Sequence, residues 1–148
     1  MIAIASDHGG YALKEEIKKY LDEKGIEYKD FGCNSEERTD YPIFGKAAVK
    51  AVQNKECDKG ILVCGTGFGM TMVANKFKGI RCASCWNEEV GKLLKAHNNA
   101  NVIALPGRFI NISEAVAILR AWLGTEFMGG RHTDRLQMIE EIEKENMK

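Results

Sequence analysis

Five short apolar runs alternate with longer amphipathic ones, and this alternation constrains the fold more than any other feature of the chain. Residues 2–6, 26–31, 60–63, 80–85 and 101–105 read as strands. Residues 10–24 place Leu13, Ile17 and Leu21 at i, i+4 and i+8, one stripe of a helix, and Gly25 stands as its stop. Glu15 and Lys19 form an i, i+4 pair on the other side. Pro42 suits the first turn of a second helix carrying Phe44, Ala47, Ala48, Ala51 and Val52. Further helices are expected over 70–77, 87–97 and from Asn111 through Leu123. Asn111 and Glu114 resemble a capping box. A last helix runs from near Thr133 to the chain end, with Leu136, Ile139 and Ile142 as its stripe.

Strands that alternate with helices predict a parallel sheet covered on both faces. The expected architecture is a three-layer, doubly wound α/β domain, Rossmann-like, with five parallel strands. The 148 residues suit one domain over 1–148, with no linker or repeat. In such sheets ligands bind beyond the carboxyl ends of the strands. That rule points to Asp7-His8 after the first strand, Cys64–Gly69 after the third and Pro106–Arg108 after the fifth. Arg131 and Arg135 belong to a separate C-terminal element.

Composition excludes several classes. Lys+Arg and Asp+Glu are both 21, so there is no concentrated basic surface for nucleic acid. No apolar run reaches the length of about 18 residues that a membrane span requires. The start MIAIASDHGG reads as a strand, not as a basic n-region ahead of an apolar stretch, so a reducing cytosol is expected. Five cysteines, an odd number, argue against a disulfide framework. Cys82 and Cys85 form a CxxC within a strand-like run. Residues three apart on a strand face opposite ways, and no second ligand pair completes a metal set. No metal and no cofactor is expected.

The segment Cys64-Gly65-Thr66-Gly67-Phe68-Gly69 carries the strongest local signal. Alternate glycines let backbone N–H groups approach an oxyanion, and a helix start adds its positive end. It matches neither a dinucleotide fingerprint, because residue 70 is Met, nor a P-loop, because no GK[ST] follows. A turn that binds nothing is the alternative. Cys64 reads equally as a thiolate base beside a helix start or as a small core residue. Thr66 is a hydrogen-bonding neighbour or a plain loop residue. Asp7 is a site carboxylate or an N-cap, with His8 beside it. His97-Asn98 closes a helix, where a histidine can serve simply as a dipole partner. Arg131 and Arg135, four apart after Gly129-Gly130, suit a phosphate dianion or are surface arginines. Arg108 is a third cation, and Tyr41 is a polar loop group or a packing residue.

Together these residues resemble the type B ribose-5-phosphate isomerase family, which also holds galactose-6-phosphate and allose-6-phosphate isomerases. The resemblance runs nearly end to end. It rests on SDHGG at 6–10, ERTDYP at 37–42, CGTGFGM at 64–70, ANKF at 74–77, HNNANV at 97–102 and GGRH at 129–132 with Arg135. It implies that Cys64 moves the proton between C1 and C2. It implies that His97 opens the furanose ring, with Thr66 and Asp7 assisting. The Gly65–Gly69 amides, including Gly67 and Phe68, would hold the enediolate oxygens together with Asn98, and Tyr41 would line the substrate. His8, Arg108, Arg131 and Arg135 would surround the phosphate.

The resemblance also implies a homodimer or homotetramer with shared active sites, toward whose partner subunit the C-terminal helix extends. One branch of the family replaces the cysteine by a Glu at the position of Met70. Cys64 with Met70 fits the cysteine branch, and Phe68 is bulkier than expected there. Two other functions remain open at this level. One is a six-carbon preference, allose 6-phosphate or galactose 6-phosphate. The other is a non-catalytic sugar-phosphate binding domain on the same fold.

Overall fold

The computed structural model describes residues 1–147. Five parallel strands, β1 (Ile2–Ser6), β2 (Tyr28–Asp30), β3 (Lys59–Cys64), β4 (Cys82–Ser84) and β5 (Val102–Pro106), form one sheet in the order β2-β1-β3-β5-β4. Six helices follow: α1 (Tyr11–Glu23), α2 (Tyr41–Gln53), α3 (Phe68–Ala74), α4 (Glu88–Ala96), α5 (Ile112–Gly124) and α6 (Arg131–Asn146). The doubly wound, three-layer expectation therefore holds. One apolar cluster joins the sheet to α1, α4 and α5 and contains Ile4, Ile17, Leu21, Ile61, Ile103, Leu119 and Trp122. The other joins it to α2 and α3 through Ala5, Val49, Leu62, Met70 and Ala104.

The central strands β1, β3 and β5 are buried almost throughout. That explains their unbroken apolar runs, since both faces carry helices. The edge strands β2 and β4 are shorter than the apolar runs that suggested them, three residues each against 26–31 and 80–85. Burial extends past the hydrogen-bonded ladder at an edge, so apolar runs overstate edge strands. The first helix begins at Tyr11, preceded by a single 3-10 turn, His8–Gly10. Helix α3 starts at Phe68, two residues before the expected start, and stops at Ala74 rather than Phe77. Helix α6 starts at Arg131.

The expected Glu15–Lys19 pair is replaced by two i, i+3 pairs, Glu15–Lys18 at 2.9 Å and Glu16–Lys19 at 3.4 Å. The Asn111/Glu114 capping box is present. Cys82 and Cys85 fall in opposite core clusters, as their strand spacing requires.

Candidate active site

Three turns meet at the carboxyl ends of the central strands. After β1, Asp7 caps the 3-10 turn by accepting from the Gly10 amide at 3.0 Å. It is the N-cap of this short turn rather than of α1, so the capping and site readings coexist. After β3, Gly65–Gly67 lead into α3. After β5, Gly107 and Arg108 run alongside. The Gly107 amide donates to the Cys64 carbonyl at 2.8 Å and the Arg108 amide to the Gly65 carbonyl at 3.1 Å. A methyl placed on Gly9 would lie 3.4 Å from Asp7 Oδ1, 3.7 Å from the Gly65 nitrogen and 3.8 Å from Arg108 Nε. The carboxylate, the glycine turn and the guanidinium thus face one small volume.

Cys64 ends β3 and is 4% exposed. The turn after it is built for open amides. Gly67 is left-handed (φ 82), a conformation that β-carbons disfavour. Among the described residues, the amides of Gly65, Thr66, Gly67 and Gly69 find no protein acceptor, whereas the Phe68 amide donates to Thr66 Oγ1 at 3.1 Å. The Phe68 N–H is thus engaged within the turn, unlike the other four. Its ring is 62% exposed. Tyr41 opens α2 and lays its ring on Gly69, where a β-carbon would come within 2.5 Å of the ring. Met70 is fully buried against Gly45 of α2.

His8 is held by Thr39. The His8 amide donates to Thr39 Oγ1 at 3.2 Å, and the Thr39 amide donates to His8 Nδ1 at 3.1 Å. The same Nδ1 lies 3.2 Å from the Thr39 carbonyl oxygen, so Thr39 fixes the ring through Nδ1 and leaves Nε2 as the ring nitrogen free for a ligand. The segment from β2 to Thr39 is anchored in turn by Lys14, whose side chain is wholly buried. Lys14 Nζ donates to both Asp30 oxygens, at 2.8 and 2.9 Å, and to the Cys33 carbonyl. Burial alone raises the Asp30 pKa, but its hydrogen bonds from Lys14, Lys18 and the Gly32 amide bring it below the usual carboxylate range.

The remaining expected residues lie elsewhere. His97 is the C-cap of α4, and Asn98 follows it. They precede β5, so they stand at the amino ends of the strands, beside Arg81 at the start of β4. Helix α6 begins at the same end. The Met128 amide donates to the Ala96 carbonyl, and the His132 ring stacks on His97 with centroids 4.3 Å apart and planes 12° apart. His132 is buried, and its Nε2 finds no partner among the described residues. Burial, then the neighbouring His97, Arg131 and Arg135, depresses its pKa. Arg131 and Arg135 are exposed, and neither forms an ion pair among the described residues.

The length of the central strands, five residues or about 16 Å in β1 and β5, lies between the two ends of the sheet. A cavity of about 460 Å³ at the amino end is lined by Ile80, Arg81, Leu136 and Ile139. Of the expected site residues only Asn98 lines it.

Sequence reasoning missed Lys14, Thr39 and His132. Lys14 carried a signal: it adjoins Leu13 and stands three before Ile17, on the inward side of α1. Thr39 and His132 sit inside quoted motifs without a periodicity that marks them. Burial pushes the Cys82 and Cys85 thiols up to about 12, the behaviour of packing cysteines. Among the described residues no three His, Cys, Asp or Glu side chains gather as a metal site, and no helix is long and apolar enough to cross a membrane.

Residues 2–139 match the family model described as Ribose/Galactose Isomerase. Ribose-5-phosphate isomerase B of Escherichia coli is 44% identical over 143 residues, covering 97% of this chain and 96% of the relative. The structure of Ribose-5-Phosphate Isomerase B from Clostridium thermocellum superposes with a TM-score of 0.95 at 47% identity, covering 97% of each chain. That of Mycoplasma genitalium Ribose-5-phosphate Isomerase B with bound ribulose-5-phosphate gives 0.92 at 41% identity, covering 98% of this chain and 97% of the other. With a family model matched over residues 2–139 and relatives of this identity over nearly the whole chain, this chain belongs to the ribose/galactose isomerase family.

Proposed function

We propose that this chain is an aldose–ketose isomerase that interconverts D-ribose 5-phosphate and D-ribulose 5-phosphate. The observation that carries the proposal is the place of Cys64 as the last residue of β3, directly before a glycine turn whose Gly65, Thr66, Gly67 and Gly69 amides are free among the described residues. Cys64, as thiolate, removes the C2 proton of the open-chain aldose, and the electron pair moves to O1 to give an enediolate. The O2 proton passes to O1, the thiol returns the carbon-bound proton to C1, and the ketone forms at C2. Gly65, Gly67 and Gly69 amides and the Thr66 hydroxyl stabilise the negative oxygen where it develops, a donor worth about 3 kcal/mol each in comparable sites. Asp7 orients the sugar hydroxyls, Tyr41 lines the sugar, and His8 Nε2 with Arg108 grips the phosphate. Two protons change place, C2 to C1 and O2 to O1, and the sugar undergoes no net redox change, so the stoichiometry calls for no redox cofactor. The bound ribulose-5-phosphate of the Mycoplasma relative supports the choice of sugar.

Ring opening falls to His97, a further hold on the enediolate oxygens to Asn98, and the rest of the phosphate grip to Arg131 and Arg135. A pentose phosphate is too short to bridge the sheet, so these residues act on the partner's Cys64 site in a homodimer or homotetramer. Helix α6 extends toward that partner. One domain per chain, residues 1–148, suffices. The five free cysteines suit a reducing cytosol.

Mixed oligomers test this. Cys64→Ala and His97→Asn chains, co-expressed with different tags and purified as the hybrid, should recover about half the wild-type turnover, because one site of each pair regains both residues. An inactive hybrid means that Cys64 and His97 serve within one chain. A fully active Cys64→Ala enzyme removes the proposed base.

A further inference from the structure

The glycine turn that carries Thr66 is held from beneath by two side chains outside the site described so far. Thr71, in α3, donates its hydroxyl to the Gly67 carbonyl at 2.8 Å, and its backbone N–H reaches the same carbonyl at 3.1 Å. Ser84, the last residue of β4, places its hydroxyl 2.9 Å from that of Thr71. The single Thr71 proton is committed to Gly67, so Ser84 is the donor of this pair. A β-carbon on Gly67 would come within 2.9 Å of Ser84 Oγ, so the turn rests directly on this hydroxyl. The Gly67 carbonyl and the Phe68 N–H belong to one planar trans peptide and point opposite ways. That N–H donates to Thr66 Oγ1. Ser84, Thr71, the Gly67–Phe68 peptide and Thr66 therefore form one directed chain of hydrogen bonds. Thr66 accepts from within, which leaves its own proton free to donate outward.

From this chain we propose that Thr71, backed by Ser84, is a positioning residue for Thr66: it fixes and polarises the Gly67–Phe68 peptide, which aims the Thr66 hydroxyl at a substrate oxygen. The inference rests on Thr66 belonging to the isomerase site. Each bond in such a chain strengthens the next, so loss of the first donor weakens the last. A threonine that merely bonds back along its own helix gains nothing from a partner on a neighbouring strand. Here β4 supplies one.

Thr71→Val keeps the side-chain shape and deletes the donor, while Thr71→Ser keeps the donor. Thr71→Val should lower kcat about 10-fold with KM changed less than about 3-fold, and Thr71→Ser should restore kcat to within about 3-fold of wild type. Ser84→Ala should lower kcat by a smaller factor. The decisive measurement is the cycle with Thr66→Ala: in that background Thr71→Val should cost less than about 2-fold further, because its effect travels through Thr66. Equal cost in both backgrounds, or wild-type kcat in Thr71→Val, overturns the relay. Should Thr71→Val fail to fold, the same cycle run with Ser84→Ala decides. Cys64→Ala separates the levels. If it is inactive while the Thr71 and Thr66 effects simply add, only the relay fails. If Cys64→Ala and Thr66→Ala both turn over normally, the isomerase site fails, and the relay with it.

Discussion

The two ends of the sheet are finished to different degrees. At the carboxyl end nearly every polar group is already placed by a neighbour: Asp7 by the Gly10 amide, His8 by Thr39, the glycine turn by the strands beside it and by Thr71. The donors left over are those that would face a ligand. At the amino end the same kinds of groups stand unanswered. Among the described residues His132 is buried with Nε2 unpaired, and Arg131 and Arg135 reach solvent without an acidic partner. Buried polar atoms are ordinarily hydrogen-bonded. Both ends leave groups open, the carboxyl end as backbone amides on a turn held by its neighbours and the amino end as a buried ring nitrogen and exposed guanidiniums. In the function proposed above, the first is the reaction site and the second is its complement from another subunit.

The largest effect should come from the finished end. Cys64→Ala should reduce kcat by about 10²–10⁴-fold, the range of a positioned general base. Ribulose 5-phosphate should still bind it, because none of the proposed phosphate ligands changes. Loss of binding together with turnover would show that the thiol supports the turn rather than the chemistry. Normal turnover would move the reaction away from the carboxyl end altogether.

The finished end was also the legible one. Cys64–Gly69 announced itself because glycines at alternate positions leave a compositional trace, and the rule for parallel sheets located the turns after β1, β3 and β5. The register of α3 was less legible. Phe68 and Gly69 read as loop, yet they form its first turn, since Gly67 rather than Gly69 supplies the left-handed entry. Strand ends at β2 and β4 blurred because burial outlasts the ladder there. The position of Lys14 beside Leu13 hinted at the inward side of α1, but not at the burial of its side chain on Asp30. Its ion pair depends on a residue 16 positions away, and periodicity within one helix carries no information about that. The separation of His97 from Cys64 was likewise invisible to motif matching. It follows from the direction of the chain: α4 runs back along the sheet, so its C-cap lies at the end where strands begin.

A mid-sized effect tests whether the amino-end arginines complete the phosphate grip. Charge-assisted hydrogen bonds contribute about 1.5–3 kcal/mol, so Arg131→Ala should raise KM for ribose 5-phosphate roughly 10-fold or more. The kcat at saturating substrate should change much less, and added salt should weaken substrate binding to the wild type more than to the variant. An unchanged KM would mean that His8 and Arg108 hold the phosphate alone, and the two ends would lose their proposed division of labour.

The smallest effect concerns His132 and is read as stability against pH. Its pKa in the folded protein lies below the ordinary 6.5, so over that window the unfolded chain binds more protons than the folded one. Stability then rises with pH, is fully present above about 6.5, and is lost as pH falls toward the depressed value. His132→Phe keeps a ring to stack on His97 and removes the titrating nitrogen. Urea unfolding of both proteins at matched protomer concentration, from about pH 8 down to about pH 5, should show a smaller acid loss in the variant. Equal slopes would mean that the His132 ring meets protons as freely folded as unfolded. The amino-end cluster would then be an ordinary wet surface, and its unpaired nitrogen would lose its value as a sign of an unfinished interface.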